Sequence, residues 1–266
     1  MADLFAPNVL VAFAVCIGAA LATMLGGLLV VTSHIPKPRL LALGLAFAGG
    51  AMVYISLVEI FWKSHLAFTH ALGGDRPGYL AATLAFFAGI AVVLLLDTLV
   101  PNPHNELTKL GENAQRDHIR RVGTMAALAI TAHNFPEGMA SFFAALDNPT
   151  VGASLAFAIA VHNIPEGVSI AIPVLFATGS KRYALLACAV SALAEPVGAL
   201  IGYLLLAQFL TQFVFGCVFG VIAGIMVFLS LDELLPSAKR YAKGHDAVIG
   251  MVTGMGAIAI SLVLFR

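Results

Sequence analysis

His133-Asn134-Phe135-Pro136-Glu137-Gly138 returns as His162-Asn163-Ile164-Pro165-Glu166-Gly167. Both copies stand inside stretches that are otherwise almost wholly apolar. A helix needs about 20 mainly apolar residues to cross the hydrocarbon of a bilayer. Eight stretches meet that requirement: 8–31, 40–62, 79–100, 122–146, 151–176, 183–207, 212–235 and 247–265. The two motif copies are centred in the fourth and fifth. The predicted fold class is all-α, a polytopic membrane protein of eight transmembrane helices in a single domain over 1–266. Between the stretches stand helix-stopping residues: Pro36 and Pro38, then Gly73, Gly74 and Pro77, then Asp147-Asn148-Pro149. Residues 101–121 form the longest polar connection.

Composition narrows the function classes. The chain is 60% hydrophobic and 11% charged, where a soluble domain carries about a quarter charged residues. That deficit runs along the whole length, which excludes a soluble enzyme on one anchor and makes membrane lipid the surrounding partner. The 14 basic and 14 acidic residues cancel, so no basic surface points to nucleic acid. Cys16, Cys188 and Cys217 lie far apart without zinc-type spacing and read as small core residues. Met1 to Pro7 contains only Asp3 and lacks the basic region of a signal peptide, so the first apolar stretch is expected to stay as a span.

Lys and Arg accumulate on the cytoplasmic side of membrane proteins. Connections after the odd-numbered spans hold Lys37 and Arg39; Lys109, Arg116, Arg120 and Arg121; Lys181 and Arg182; and Lys239, Arg240 and Lys243. The other side has Lys63, Arg76 and Arg266, eleven against three. Both termini are therefore expected outside and the 101–121 loop in the cytoplasm. Trp62 and Tyr79 fit the aromatic belt at the interface.

Once the spans are drawn, His133, Glu137, His162, Glu166 and Glu195 fall near mid-bilayer. An acid at a helix centre costs roughly 2.5–3.5 kcal/mol, so three uncompensated glutamates would cost on the order of 10 kcal/mol. No Lys or Arg shares their depth. Compensation has to come from protons, water or a bound cation. Spacing favours the cation, because residues four apart share one helix face. His133 thus pairs with Glu137 and His162 with Glu166, with the amide oxygens of Asn134 and Asn163 beside them. Imidazole suits zinc and iron, while carboxylate and amide oxygens extend the range to manganese and harder ions. Pro136, Pro165 and Pro196 remove helical N–H groups, so all three central glutamates are expected beside helix breaks that line a cavity. The fourth span runs outward and the fifth inward. The motif copies therefore lie on antiparallel helices, as in inverted-repeat transporters that hold substrate at the repeat interface.

These two motifs, with Glu195 on the next span, resemble the signature of the ZIP (Zrt/Irt-like) metal transporters, closest to the bacterial ZupT-type members. Ser56-Leu57-Val58-Glu59 at the end of the Gly-rich second span, Ala177-Thr178-Gly179-Ser180-Lys181-Arg182, and Leu231-Asp232-Glu233-Leu234-Leu235-Pro236 match as well. The resemblance implies an inverted-repeat 3+2+3 bundle in the cell inner membrane, often a homodimer. It implies uptake of Zn2+, with Fe2+, Mn2+, Co2+ and Cd2+ as further cargo and no resident cofactor. It also implies a binuclear centre. His133, Glu137, His162, Glu166 and Glu195 would hold one ion; Asn134, Asn163 and the shared glutamates would hold the other. Asp97, Asp232 and Glu233 would form an exit site. Many family members carry a His-rich run between the third and fourth spans; this loop has only His104 and His118.

The helix-end acids are equally compatible with solvation or pairing to Lys239 and Arg240. At the outer side Glu59, His65, His70 and Asp75 are candidates for an entrance, with Glu59 and His65 foremost. Two other functions remain open from the residues. An intramembrane metal-dependent hydrolase would also need His and acid ligands, but no His-Glu-Xaa-Xaa-His pattern occurs. A proton-coupled carrier of organic substrates would use the glutamates and leave the histidines and asparagines without a task.

Overall fold

The computed structural model describes residues 4–32, 38–99, 131, 134–206, 209 and 211–264. For several residues inside helices, Asp97, His162 and Glu233 among them, only the backbone is described. Among the described residues the chain is helical throughout, with no strand. Seven helices among the described residues are long and apolar enough to cross a membrane. The elements are α1 (Pro7–Thr32), α2 (Pro38–Ile55), α3 (Phe61–Leu72) and α4 (Asp75–Leu99). They continue with α5 (134–147), α6 (Pro149–Thr178), α7 (Lys181–Leu206), α8 (Gln212–Leu229), α9 (Leu235–Tyr241) and α10 (Asp246–Leu264).

Two short π-helical turns, Ser56–Ile60 and Ser230–Leu234, join α2 to α3 and α8 to α9 into single rods. These rods outrun the spans read from hydropathy, which stopped at 62 and 235. Nothing between Lys63 and Leu72 breaks a helix, so the ladder continues beyond the apolar window. It ends where Gly73 takes the left-handed conformation at φ 70° and its N–H returns to the Thr69 carbonyl. A helix end of this kind favours glycine because a side chain there would be strained. The turn between α5 and α6 is closed by Asn148, whose side chain accepts from the Thr150 N–H at 3.0 Å.

Pro165 and Pro196 do not act as expected. α6 runs unbroken through Pro165 and α7 through Pro196. In a packed bundle, neighbouring helices and small local adjustments re-satisfy the freed carbonyl, so one missing N–H need not end the helix.

Helices meet along small-residue seams, the usual way membrane helices approach closely. α1 packs on α6 and α7, the α2 rod on α10 and α6, and the α8 rod on α3 and α4. Large apolar side chains such as Leu21, Leu84, Leu193 and Val263 point outward and are exposed, as befits a lipid-facing surface.

The seams obey an internal symmetry. A side chain at Gly26 of α1 would strike Ile164 of α6, and one at Gly198 of α7 would strike Phe135 of α5. Gly167 lies against the Thr23 carbonyl, and Gly138 against the Glu195 carbonyl. The Cys16 thiol donates to the Gly138 carbonyl and the Cys188 thiol to the Gly167 carbonyl. In each pair α1 exchanges with α7 and α5 with α6, at a constant sequence offset. The outer helices repeat the pattern: Gly50 meets Met251 where Gly224 meets Phe86, and Gly254 meets Phe47 where Gly89 meets Val221. Even the two π turns coincide under this operation. The bundle is an inverted repeat, with α5 and α6 around its pseudo-two-fold axis.

Candidate metal centre

Five polar side chains are buried where α1, α5, α6 and α7 converge. Asn134, Glu137, Asn163 and Glu195 are fully buried, and Glu166 is 2% exposed. Glu166 lies within electrostatic reach of Glu137 and Glu195, with Asn134 beside it. Glu195 is in turn within reach of Glu137. The structure therefore brings together the asparagines and glutamates of both motif copies and the glutamate of the third helix. His133 lies outside the described residues, and for His162 only its place on α6 is described, four residues before Glu166. Among the described residues, no three His, Cys, Asp or Glu side chains alone close around an ion.

The hydrogen bonds give the asparagines a direction. Asn163 Nδ2 donates to the Ala19 carbonyl at 3.1 Å and to Glu195 Oε1 at 2.7 Å. Asn134 Nδ2 donates to the Ser191 carbonyl at 3.2 Å and to Ser191 Oγ at 3.0 Å. Both amide nitrogens are thus committed to neighbouring helices. The opposite atoms, Asn134 Oδ1 and Asn163 Oδ1, have no hydrogen-bond partner among the described residues, and neither has Glu195 Oε2. Buried oxygens are ordinarily satisfied. Three bare oxygens in one electron-rich centre match the donor set of a hydrated or partly dehydrated cation.

The profile of the family described as "ZIP Zinc transporter" matches residues 99–262, most of the chain and the whole of this centre. The chain belongs to the ZIP zinc transporter family. Among its relatives, proteins named "Zinc transporter ZupT" are 59% identical in Stenotrophomonas maltophilia (strain K279a) over 97% of both chains. Another of that name, from Neisseria meningitidis serogroup B, is 58% identical over all of both chains. A third, from Lysinibacillus sphaericus, is 46% identical over 97% of this chain and 98% of its own. Membership in a ZIP transporter family removes the hydrolase reading: this is a multi-pass membrane transporter and not an enzyme.

The remaining predicted residues of this ZIP chain separate into groups. Among the predicted entrance residues two pairs form in place of one cluster. His65, buried, holds Asp75 at 3.0 Å, with the rings of Trp62 and Tyr79 packed against it. Glu59, in the first π turn, faces Lys63 at 3.8 Å. His70 is exposed and joins neither pair. Among the predicted exit residues Asp232 is exposed in the second π turn. Asp97 stands in the last turn of α4 and Glu233 follows Asp232, both with undescribed side chains. Sequence reasoning passed over Asp246, which is buried and held by Arg39 through three contacts of 2.9–3.1 Å. That bridge clamps the start of α2 to the start of α10, and only the interspersed charges hinted at it. Thr23 and Ser191, the partners of the motif across the seam, gave no signal beyond being polar in apolar helices.

Proposed function

We propose that this protein takes divalent metal cations, zinc foremost, from outside the cell inner membrane into the cytoplasm. Iron, manganese, cobalt and cadmium are further cargo for the same centre. The reading is carried by the bare, buried oxygens of Asn134, Asn163 and Glu195 beside Glu137 and Glu166. The names of the relatives support it. A cation offsets the cost of the acids at this depth, which protons alone would do without needing the amide oxygens. His133, Glu137, His162, Glu166 and Glu195 hold one ion, and Asn134, Asn163 and the shared glutamates a second. With no thiolate among the donors, the centre releases what it binds.

Glu59 and His65 receive the hydrated ion, which displaces the Lys63 ammonium from Glu59. Asp97, Asp232 and Glu233 accept it on the cytoplasmic side. Both termini lie outside, the 101–121 loop is cytoplasmic, the 1–266 chain forms one membrane domain, and two copies form a homodimer. Uptake of labelled zinc or iron into proteoliposomes tests the central claim. Wild type accumulates the metal and Glu166→Ala does not; accumulation unchanged by that substitution defeats the reading.

A further inference from the structure

Thr23, like Thr69 in α3 away from the metal centre, lacks the hydroxyl bond that four other helical threonines make. Thr32, Thr83, Thr178 and Thr253 each donate their hydroxyl to the carbonyl one turn back, at 2.7–2.8 Å. Thr23 is fully buried, yet its Oγ1 has no hydrogen-bond partner among the described residues. The carbonyl it would have used belongs to Ala19 and accepts instead from Asn163 at 3.1 Å. A buried hydroxyl without a partner destabilises a fold where valine of the same shape would not. Its retention needs another cause.

Its position supplies one. On the same stripe of α1, Cys16 meets Gly138, Ala19 meets Asn163, and Gly26 meets Ile164. Thr23 lies in the middle of this stripe, its own carbonyl against Gly167 of the second motif. Under the pseudo-two-fold operation Thr23 on α1 exchanges with Glu195 on α7, just as Ala19 exchanges with Ser191 and Gly26 with Gly198. Glu195 reaches Asn163 across the axis. The hydroxyl of Thr23 starts from the equivalent place on the other side of the centre.

We propose that Thr23 is a further cation-binding residue, the neutral oxygen opposite Glu195 on the α1 side. This rests on the cation-site reading above. The side chain is two bonds shorter than glutamate, so it meets the ion through one retained water. Such bridges are nearly as favourable as direct hydrogen bonds. A hydroxyl in this place keeps a fourth carboxylate out of the centre, which eases release. It also favours the more strongly hydrated zinc and manganese over softer cadmium.

Initial uptake rates of zinc, manganese and cadmium into proteoliposomes, for wild type, Thr23→Val and Thr23→Ser, test the proposal. Thr23→Val is expected to raise KM for zinc and manganese by about two- to tenfold, the worth of one net polar contact. Cadmium is expected to change less, and Thr23→Ser to restore the wild-type values. Wild-type KM for all three ions in Thr23→Val overturns it, as does an equal loss in Thr23→Ser. If valine prevents folding, Thr23→Ala replaces it under the same criteria. Zinc titration of the detergent-solubilised protein keeps the two readings apart. Absent uptake with intact binding defeats transport, whereas zinc affinity unmoved by Thr23→Val defeats the role of Thr23.

Discussion

The pseudo-symmetric asparagines should not be equivalent, and the difference can be measured. Each offers one bare carbonyl oxygen to the centre, so replacing either by alanine removes the same cation contact. What differs is the other end of the amide. Asn163 donates to a carboxylate at 2.7 Å, inside the short range of charge-assisted bonds. Asn134 makes its two short bonds to neutral oxygens of Ser191, at 3.0 and 3.2 Å, with the Glu166 carboxyl beside it as a lesser partner. Buried bonds to charged groups contribute about 1.5–3 kcal/mol and neutral ones about 0.5–1.5 kcal/mol. Asn163→Ala should therefore be less stable than Asn134→Ala by roughly 1–1.5 kcal/mol. For a chain of this size that is a melting temperature lower by about 2–5 °C. Thermal unfolding of the metal-free protein in detergent gives the comparison directly. Equal melting temperatures, or a lower one for Asn134→Ala, would refute the reasoning, because the bond to Glu195 would then contribute nothing beyond a neutral contact.

Gly167→Ala places a methyl group against the Thr23 carbonyl, 2.9 Å from its carbon and 3.1 Å from the Gly27 nitrogen. Backbone on a packed helix yields little, so a loss of about 1–3 kcal/mol is expected. Gly18→Ala, with nothing within 4 Å, should instead be neutral or stabilising; the two melting curves decide it. Acid should weaken metal uptake, since the histidines and carboxylates of the centre must be deprotonated to bind and protons compete for them. Zinc KM should rise as the pH is lowered. A KM that falls in acid would contradict the ligand set.

The spans and the motif pair were readable because both are dense signals. Long apolar windows have few alternative explanations, and a buried acid repeated on antiparallel helices has fewer still. The rod ends were less readable, because hydropathy marks where the membrane stops and hydrogen bonding marks where the helix stops. The second span ends at 62 by hydropathy, whereas the helix runs ten residues further, to Leu72. The wider repeat was present in the sequence as Met52-Val53, Ser56-Leu57 and Glu59 against Met226-Val227, Ser230-Leu231 and Glu233. It shows its meaning only when the two π turns are seen to exchange. Proline was over-read, since its local effect depends on neighbours that no single helix reveals. Thr23 was invisible for the opposite reason: a threonine in an apolar helix is expected to bond to its own backbone, and the loss of that bond is a tertiary event.

The glycine seams carry a consequence for how such a centre is altered. Where α1 and α7 abut the motif helices, main chain rests on main chain at Gly26, Gly138, Gly167 and Gly198. At those four positions the spacing of the helices around the centre is therefore set by the backbone, with the Cys16 and Cys188 thiols beside it. There is no side chain at those four contacts to trim for a larger or smaller ion. The protein's preference among metals has to be rewritten atom by atom, in the identity of the oxygens and nitrogens that face inward.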